Sequence, residues 1–154
     1  MLSHRTRSVP LMTVPPRISL VTLGVRDVAA ATAFYERIGF ELSEASVTGE
    51  VSFFRTGGAV LALWGADALA DDARLPRPTD HTRSSALAIN VDSRAEVDAA
   101  LAATEQAGAR ITRPAEATEW GGYNGYFADP DGHVWEVAHN PFWPLDERGL
   151  PQLP

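Results

Sequence analysis

Few of the chain's reactive side chains are placed to share a site. The 154 residues include no cysteine, which removes thiolate nucleophiles, disulfide scaffolds, Cys-based zinc sites and iron–sulfur clusters together. The four histidines are scattered: His4 near the start, His81 between patterned segments, His133 in a turn and His139 on the last strand-like run. On that run, Val134 to His139, side chains alternate between faces, so His139 points away from Glu136. Gly-x-Gly-x-x-Gly, Walker-type and Gly-x-Ser-x-Gly motifs are all absent. What remains is Glu136, the Trp and Tyr rings, and a few small polar groups.

The elements that position them follow from periodicity. Ile18–Val25 is short and β-rich, and Asp27 is placed to cap a helix whose apolar stripe runs through Val28, Ala31, Phe34, Tyr35 and Ile38 up to Gly39. Strands are predicted at Phe40–Val47, Glu50–Thr56 and Ala59–Gly65, with Gly57-Gly58 as a hairpin turn. Residues 66–84 form an acidic, then proline-rich connector with one helical turn near Ala66–Leu69. The pattern then restarts: a strand at Ser85–Val91, a capping box at Ser93–Glu96, a helical stripe through Val97, Leu101 and Thr104, and a stop at Gly108. Strands near Ala109–Thr112 (with a continuation past Pro114 left open), Tyr123–Ala128 and Val134–His139 follow, the last two joined by Asp129-Pro-Asp-Gly132. The sequence thus predicts an α+β fold of two βαβββ modules, about 17–65 and 85–140. A disordered extension, 1–16, precedes them, and a proline-broken apolar tail, 141–154, is expected to pack on its own domain or on a partner subunit.

Composition narrows the partners. Lys and Arg number 13 against 20 Asp and Glu, a net charge of −7, which argues against nucleic acid. No apolar run approaches the ~20 residues of a membrane span. With no secretory signal and no cysteine, a cytoplasmic home is expected.

Val25-Arg-Asp27, Ala33-Phe-Tyr-Glu-Arg-Ile-Gly-Phe40 and, above all, Gly125-Tyr-Phe-Ala-Asp-Pro-Asp-Gly-His-Val-Trp-Glu136 resemble the vicinal oxygen chelate superfamily, which includes glyoxalase I, bleomycin-resistance proteins and extradiol dioxygenases. The likeness covers about residues 17–140. It implies facing curved mixed sheets, the glyoxalase/bleomycin-resistance fold, and a homodimer. Trp120-Gly-Gly-Tyr123 further resembles an uncharacterised glyoxalase-like branch. In metal-dependent members four strands each supply one ligand. By motif those positions fall here on Leu20, Ala62, Ala86 and Glu136, and only Glu136 offers a donor. No metal and no cofactor are therefore expected.

Strand alternation adds Thr22, Val60, Trp64, Ala88, Asn90, Val134 and Ala138 to the same faces. The opposite faces carry Val21, Leu23, Val25, Leu61, Leu63, Leu87, Ile89, Val91, Trp135 and Val137 and should pack under the helices. The expected ligand site comprises Leu20, Thr22, Ala62, Trp64, Ala86, Asn90, Trp120, Tyr123 and Glu136, a cavity between the sheets for a small apolar or aromatic molecule. A carboxylate alone there would suit a general acid or base, so Glu136 is also the candidate catalytic residue. Three functions remain open: a metal-independent binder of the bleomycin-resistance type, a glyoxalase-like lyase or isomerase acting through Glu136 with or without a divalent metal, and, ranked last because the inner faces are rich in small residues, a structural or partner-binding module.

Overall fold

A computed structural model describes residues 14–79 and 84–154. The elements run β1 (Leu20–Val25), α1 (Val28–Arg37), β2 (Glu41–Leu42), β3 (Val51–Arg55), β4 (Val60–Gly65), α2 (Ala66–Asp72), β5 (Ala86–Asn90), α3 (Arg94–Gln106), β6 (Arg110–Ala117), β7 (Tyr123–Ala128) and β8 (Val134–His139). The expected order twice over is present. Most of the extension predicted at 1–16, with His4, and also His81 of the connector, lie outside the described residues.

The two modules build two four-stranded mixed sheets of identical plan, β1-β4-β3-β2 and β5-β8-β7-β6. In each, the first strand pairs parallel with the last and the remaining pairs are antiparallel. The helices begin as the sequence dictates. Asp27 accepts from the Ala30 N–H at 3.0 Å, and Ser93 accepts from Glu96 N–H at 3.1 Å. The Glu96 carboxylate accepts in return from Asp92 N–H at 2.8 Å. Both capped N-termini satisfy donors that would otherwise be orphaned. Gly39 and Gly108 follow the two helices at φ +104° and +109°, where side chains are strained.

Two boundaries moved, and the end of a third strand, open in the sequence, is now fixed. The strand expected at Phe40–Val47 keeps only Glu41–Leu42, because Ser46 diverts the ladder: its Oγ accepts from Phe53 N–H at 2.9 Å. The helical turn at Ala66 extends to Asp72, where Arg77 clamps Asp71 at 2.6 Å and Asp67 at 3.5 Å. The strand near Ala109 runs on past Pro114 to Ala117, with register shifts on either side of Arg113.

One core serves both modules. It joins Leu23, Val25, Phe34, Tyr35, Phe54, Leu61 and Leu63 to Val97, Leu101, Phe127, Trp135 and Val137. These are the faces that alternation assigned to the helices. Tyr35 is the pin between modules. Its ring meets Phe34, Phe40, Phe54 and Trp135 with centroids 5.1 to 6.0 Å away. Its hydroxyl donates to Asp129 Oδ2 at 2.6 Å and accepts from the Trp135 indole N–H at 3.1 Å. The seam is closed by Arg26 on Asp131 and by His133 Nε2, 2.7 Å from the Gly24 carbonyl.

Burial first, then the negative charge and hydrogen bond of Asp129, push the Tyr35 hydroxyl far above its ordinary range. The unfolded tyrosine ionises near pH 10 while the folded one stays protonated, so the unfolded state binds fewer protons above that pH. The contribution of Tyr35 is complete below about pH 10 and is lost as pH rises, at about 1.4 kcal/mol per pH unit. Urea unfolding from pH 9 to 11.5 should show this slope, and Tyr35→Phe should flatten it; an unchanged slope in the variant contradicts the assignment.

The tail folds back on its own domain. Leu145 bridges Pro151, and Asp146 accepts from the Arg148 and Leu150 N–H groups at 2.8 and 3.0 Å. This turn lies on the β3–β4 hairpin: a Cβ on Gly57 would come 2.8 Å from the Arg148 carbonyl, and one on Gly58 3.8 Å from the Leu150 side chain. Phe142 reaches Gly121 at the other end of the tail. Truncation after Asn140 should cost about 1–2 kcal/mol, from the lost Leu150 and Phe142 packing. Calorimetry should therefore show Tm lower by roughly 3–6 °C; an unchanged Tm would show these contacts idle.

Candidate functional site

With their helix-covered faces turned to the common core, both sheets leave the opposite face open. On the first sheet the register brings Leu20 beside Val60, Thr22 beside Ala62, and Gly24 beside Trp64. Leu20 and Thr22 are exposed, Trp64 is half-buried and Ala62 is buried. The start of α2 lies over one end of this face, where a Cβ on Gly24 would meet Ala66 at 3.0 Å. On the second sheet Ala86 lies beside Val134, Ala88 beside Glu136 and Asn90 beside Ala138. Ala86 and Ala88 are exposed; Asn90 and Glu136 are half-buried.

A cavity between these faces was expected; the two hollows described among residues 14–79 and 84–154 lie elsewhere. One of about 320 Å³ sits around the β7–β8 turn. A slot of about 20 Å³ sits at the seam, between Leu23 and Leu87. Of the small residues on these faces, Ala86 and Ala88 are open to solvent, while Ala62 and Ala138 are buried.

The aromatic walls part company. Trp64 shares the open face of the first sheet. Trp120 is 48 % exposed in the β6–β7 turn, its indole folded over Gly122. Tyr123 is not on the Glu136 face. It pairs with His139 across β7–β8, its hydroxyl donates to Asp98 of α3 at 2.6 Å, and the Arg94 guanidinium lies 5.2 Å from its ring centre. That hydrogen bond, more than burial or charge, raises the Tyr123 hydroxyl above its ordinary range. His139 faces away from Glu136 too, with Nδ1 3.1 Å from the Val91 carbonyl.

Glu136 is not alone. Asn124, one strand over and buried, donates from Nδ2 to Glu136 Oε1 at 3.0 Å. The Arg113 guanidinium, on the next strand, donates to Asn124 Oδ1. Arginine can only donate, so it fixes the amide with its NH₂ towards Glu136. Arg113 is held in turn by Glu116 at 2.8 Å and lies 5.2 Å from the Tyr126 ring centre. The result is a polar ladder, Glu136–Asn124–Arg113, crossing three strands of a face that also carries Tyr126 opposite Glu136 and Ala86, Ala88 and Ala138 beside it. Glu136 Oε2 takes no hydrogen bond among the described residues and remains available as an acceptor. Sequence reading missed Asn124 and Arg113. Across the Asp129–Gly132 turn Asn124 pairs with Ala138, which puts it on the Glu136 face, so that signal was present.

The ligand set that the family resemblance implies for a divalent ion does not fit these residues. Leu20, Ala62 and Ala86 present alkyl groups, and Glu136 already shares an oxygen with Asn124. Among the described residues no three His, Cys, Asp or Glu side chains converge.

Paired βαβββ modules, each a mixed sheet with one covered and one open face, define the class of fold. The sequence profile of the Glyoxalase/Bleomycin resistance protein/Dioxygenase superfamily matches residues 17–137, and the chain belongs to that superfamily. A glyoxalase-related enzyme from Fulvimarina pelagi is 35% identical, with TM-score 0.80 over 90% of this chain and 99% of its own. A lactoylglutathione lyase from Agrobacterium tumefaciens is 26% identical, with TM-score 0.64 over 86% and 100%. A glyoxalase/bleomycin resistance protein/dioxygenase family enzyme from Burkholderia phytofirmans, at 23% identity and TM-score 0.71 over 79% and 96%, shares the fold. No curated protein matches the chain. No helix among the described residues is long and apolar enough to cross a membrane.

Proposed function

We propose that the protein is a metal-independent small-molecule-binding protein of the bleomycin-resistance/glyoxalase-like type. It takes an apolar or aromatic ligand against the open sheet faces, with Glu136 as the polar handle. The observation that carries this reading is the ladder. Asn124 and Arg113 hold one Glu136 oxygen and leave the other to accept from a ligand N–H or O–H. Alanines around it give room, and Trp64 on the first sheet offers a flat ring for stacking. An ionised carboxylate covered by an apolar ligand is costly unless the ligand supplies a donor, so an amine or amidine fits best.

A homodimer completes the site in this reading: a second copy laid over the open faces buries Leu20, now 50% exposed, and turns an open trough into a cavity. A lyase or isomerase that moves a proton through Glu136 Oε2 is the second reading, favoured by the likeness to a lactoylglutathione lyase. Binding of a planar aromatic amine to protein kept in EDTA tests the proposal. Saturable uptake supports it; uptake only after a divalent metal is added, or turnover of lactoylglutathione, favours the enzyme.

A further inference from the structure

The hollow of about 320 Å³ around the β7–β8 turn is lined by Arg26, Gly108, Arg110 and the stretch from Ala128 to Gly132. It lies at the joint between modules, at the β7–β8 turn end of the second sheet and not around Glu136. Two carboxylates line it, and both are engaged. Asp129 Oδ1 accepts from the Asp131 and His133 N–H groups at 2.9 and 2.8 Å, and Oδ2 accepts from Tyr35. Asp131 Oδ1 accepts from the Arg26 N–H at 2.8 Å and from its Nε at 3.3 Å. Both aspartates are buried.

The arginines are placed differently. Arg26 spends Nε and one terminal nitrogen on Asp131 and on the Pro130 carbonyl, 2.7 Å away, and its side chain stays 65% exposed. Arg110 is exposed at the start of β6, paired with Ala128 through the strand ladder, and its guanidinium has no hydrogen bond or ion pair to any described residue. The floor is fixed: Arg37 donates to the Ala107 carbonyl at 2.9 Å, just before Gly108, and the turn is tied down by Asp129. Two guanidiniums, one anchored and one unengaged, thus flank a rigid hollow larger than a single oxyanion, with Ala128 and Pro130 as apolar lining. Guanidinium N–H pairs match the oxygens of phosphate and carboxylate.

We propose that this hollow is a second binding site, for a small organic phosphate, with the phosphate between Arg26 and Arg110 and the organic part on Ala128 and Pro130. Asp129 and Asp131 oppose an anion locally, but their oxygens are turned to the Tyr35, Arg26 and backbone donors; the rest of the chain's charge of −7 acts at long range, where salt screens beyond about 8 Å at physiological strength.

Amide NMR of the full chain, titrated with phenyl phosphate against sodium chloride of equal ionic strength, tests the proposal. The expected result is saturable shifts confined to residues 26, 108–110, 128, 129, 131 and 132. Inorganic phosphate should bind the same residues more weakly. Arg110→Gln, an exposed position whose loss leaves the fold intact, should weaken phenyl phosphate at least fivefold. Shifts equal to those of sodium chloride, shifts spread over the surface, or unchanged affinity in Arg110→Gln would each overturn it.

Discussion

Asp129→Ala should unfold at a temperature about 10 °C lower than the parent chain. The carboxylate is buried and accepts from three donors: the Tyr35 hydroxyl and the Asp131 and His133 N–H groups. Truncation strands all three in the interior at about 1–3 kcal/mol each, so a loss of about 3 kcal/mol is a lower estimate. For a chain of this size that converts to roughly 10 °C in Tm. Tyr35→Phe keeps the ring but removes the donor to Asp129 and the acceptor of the Trp135 N–H, so it should cost about 2 kcal/mol. The pair should not add, because Asp129→Ala already deletes the bond that Tyr35→Phe removes. Calorimetry of the two single variants and the double variant checks this. Strict additivity would mean that Tyr35 and Asp129 hold the modules together independently.

Glu136→Gln should weaken an aromatic amine by about 10- to 100-fold, the worth of one charge-assisted hydrogen bond of about 1.5–3 kcal/mol. Gln keeps the shape, and its amide can still meet Asn124. Stability should therefore change little at this half-buried position. The contrast lies in the ligand: 1-naphthylmethylamine should bind the parent chain at least tenfold tighter than 1-naphthylacetate, and the variant should erase that preference. A preference that survives in Glu136→Gln would place the handle elsewhere.

How much of this was legible in the sequence depends on how local each feature is. Asp27 and Ser93 declare helix starts, Gly39 and Gly108 declare stops, and Asp129-Pro-Asp-Gly132 fixes both the bounds and the register of β7 and β8. The duplicated strand order followed from the duplicated pattern. The polar ladder was harder, since Arg113 reaches Asn124 only after two register irregularities near Pro114 that strand parity cannot foresee. Tyr123 was legible and misjudged: pairing across the turn sets it opposite His139, which parity had already placed away from Glu136. The cavity could not be read from the order of elements. Which faces of two modules turn inward depends on side chains such as Tyr35 and Trp135, whose ring contact and hydrogen bond commit the helix-covered faces to the common core.

Fluorescence titration with 1-naphthylmethylamine, on protein purified and held in EDTA, bears most directly on a carboxylate-handled, metal-free site. Saturable quenching of the tryptophans with one amine per chain, unchanged when zinc or nickel is restored, is the result expected. Quenching that appears only with the metal present, alongside one tightly held metal ion per chain, would contradict it.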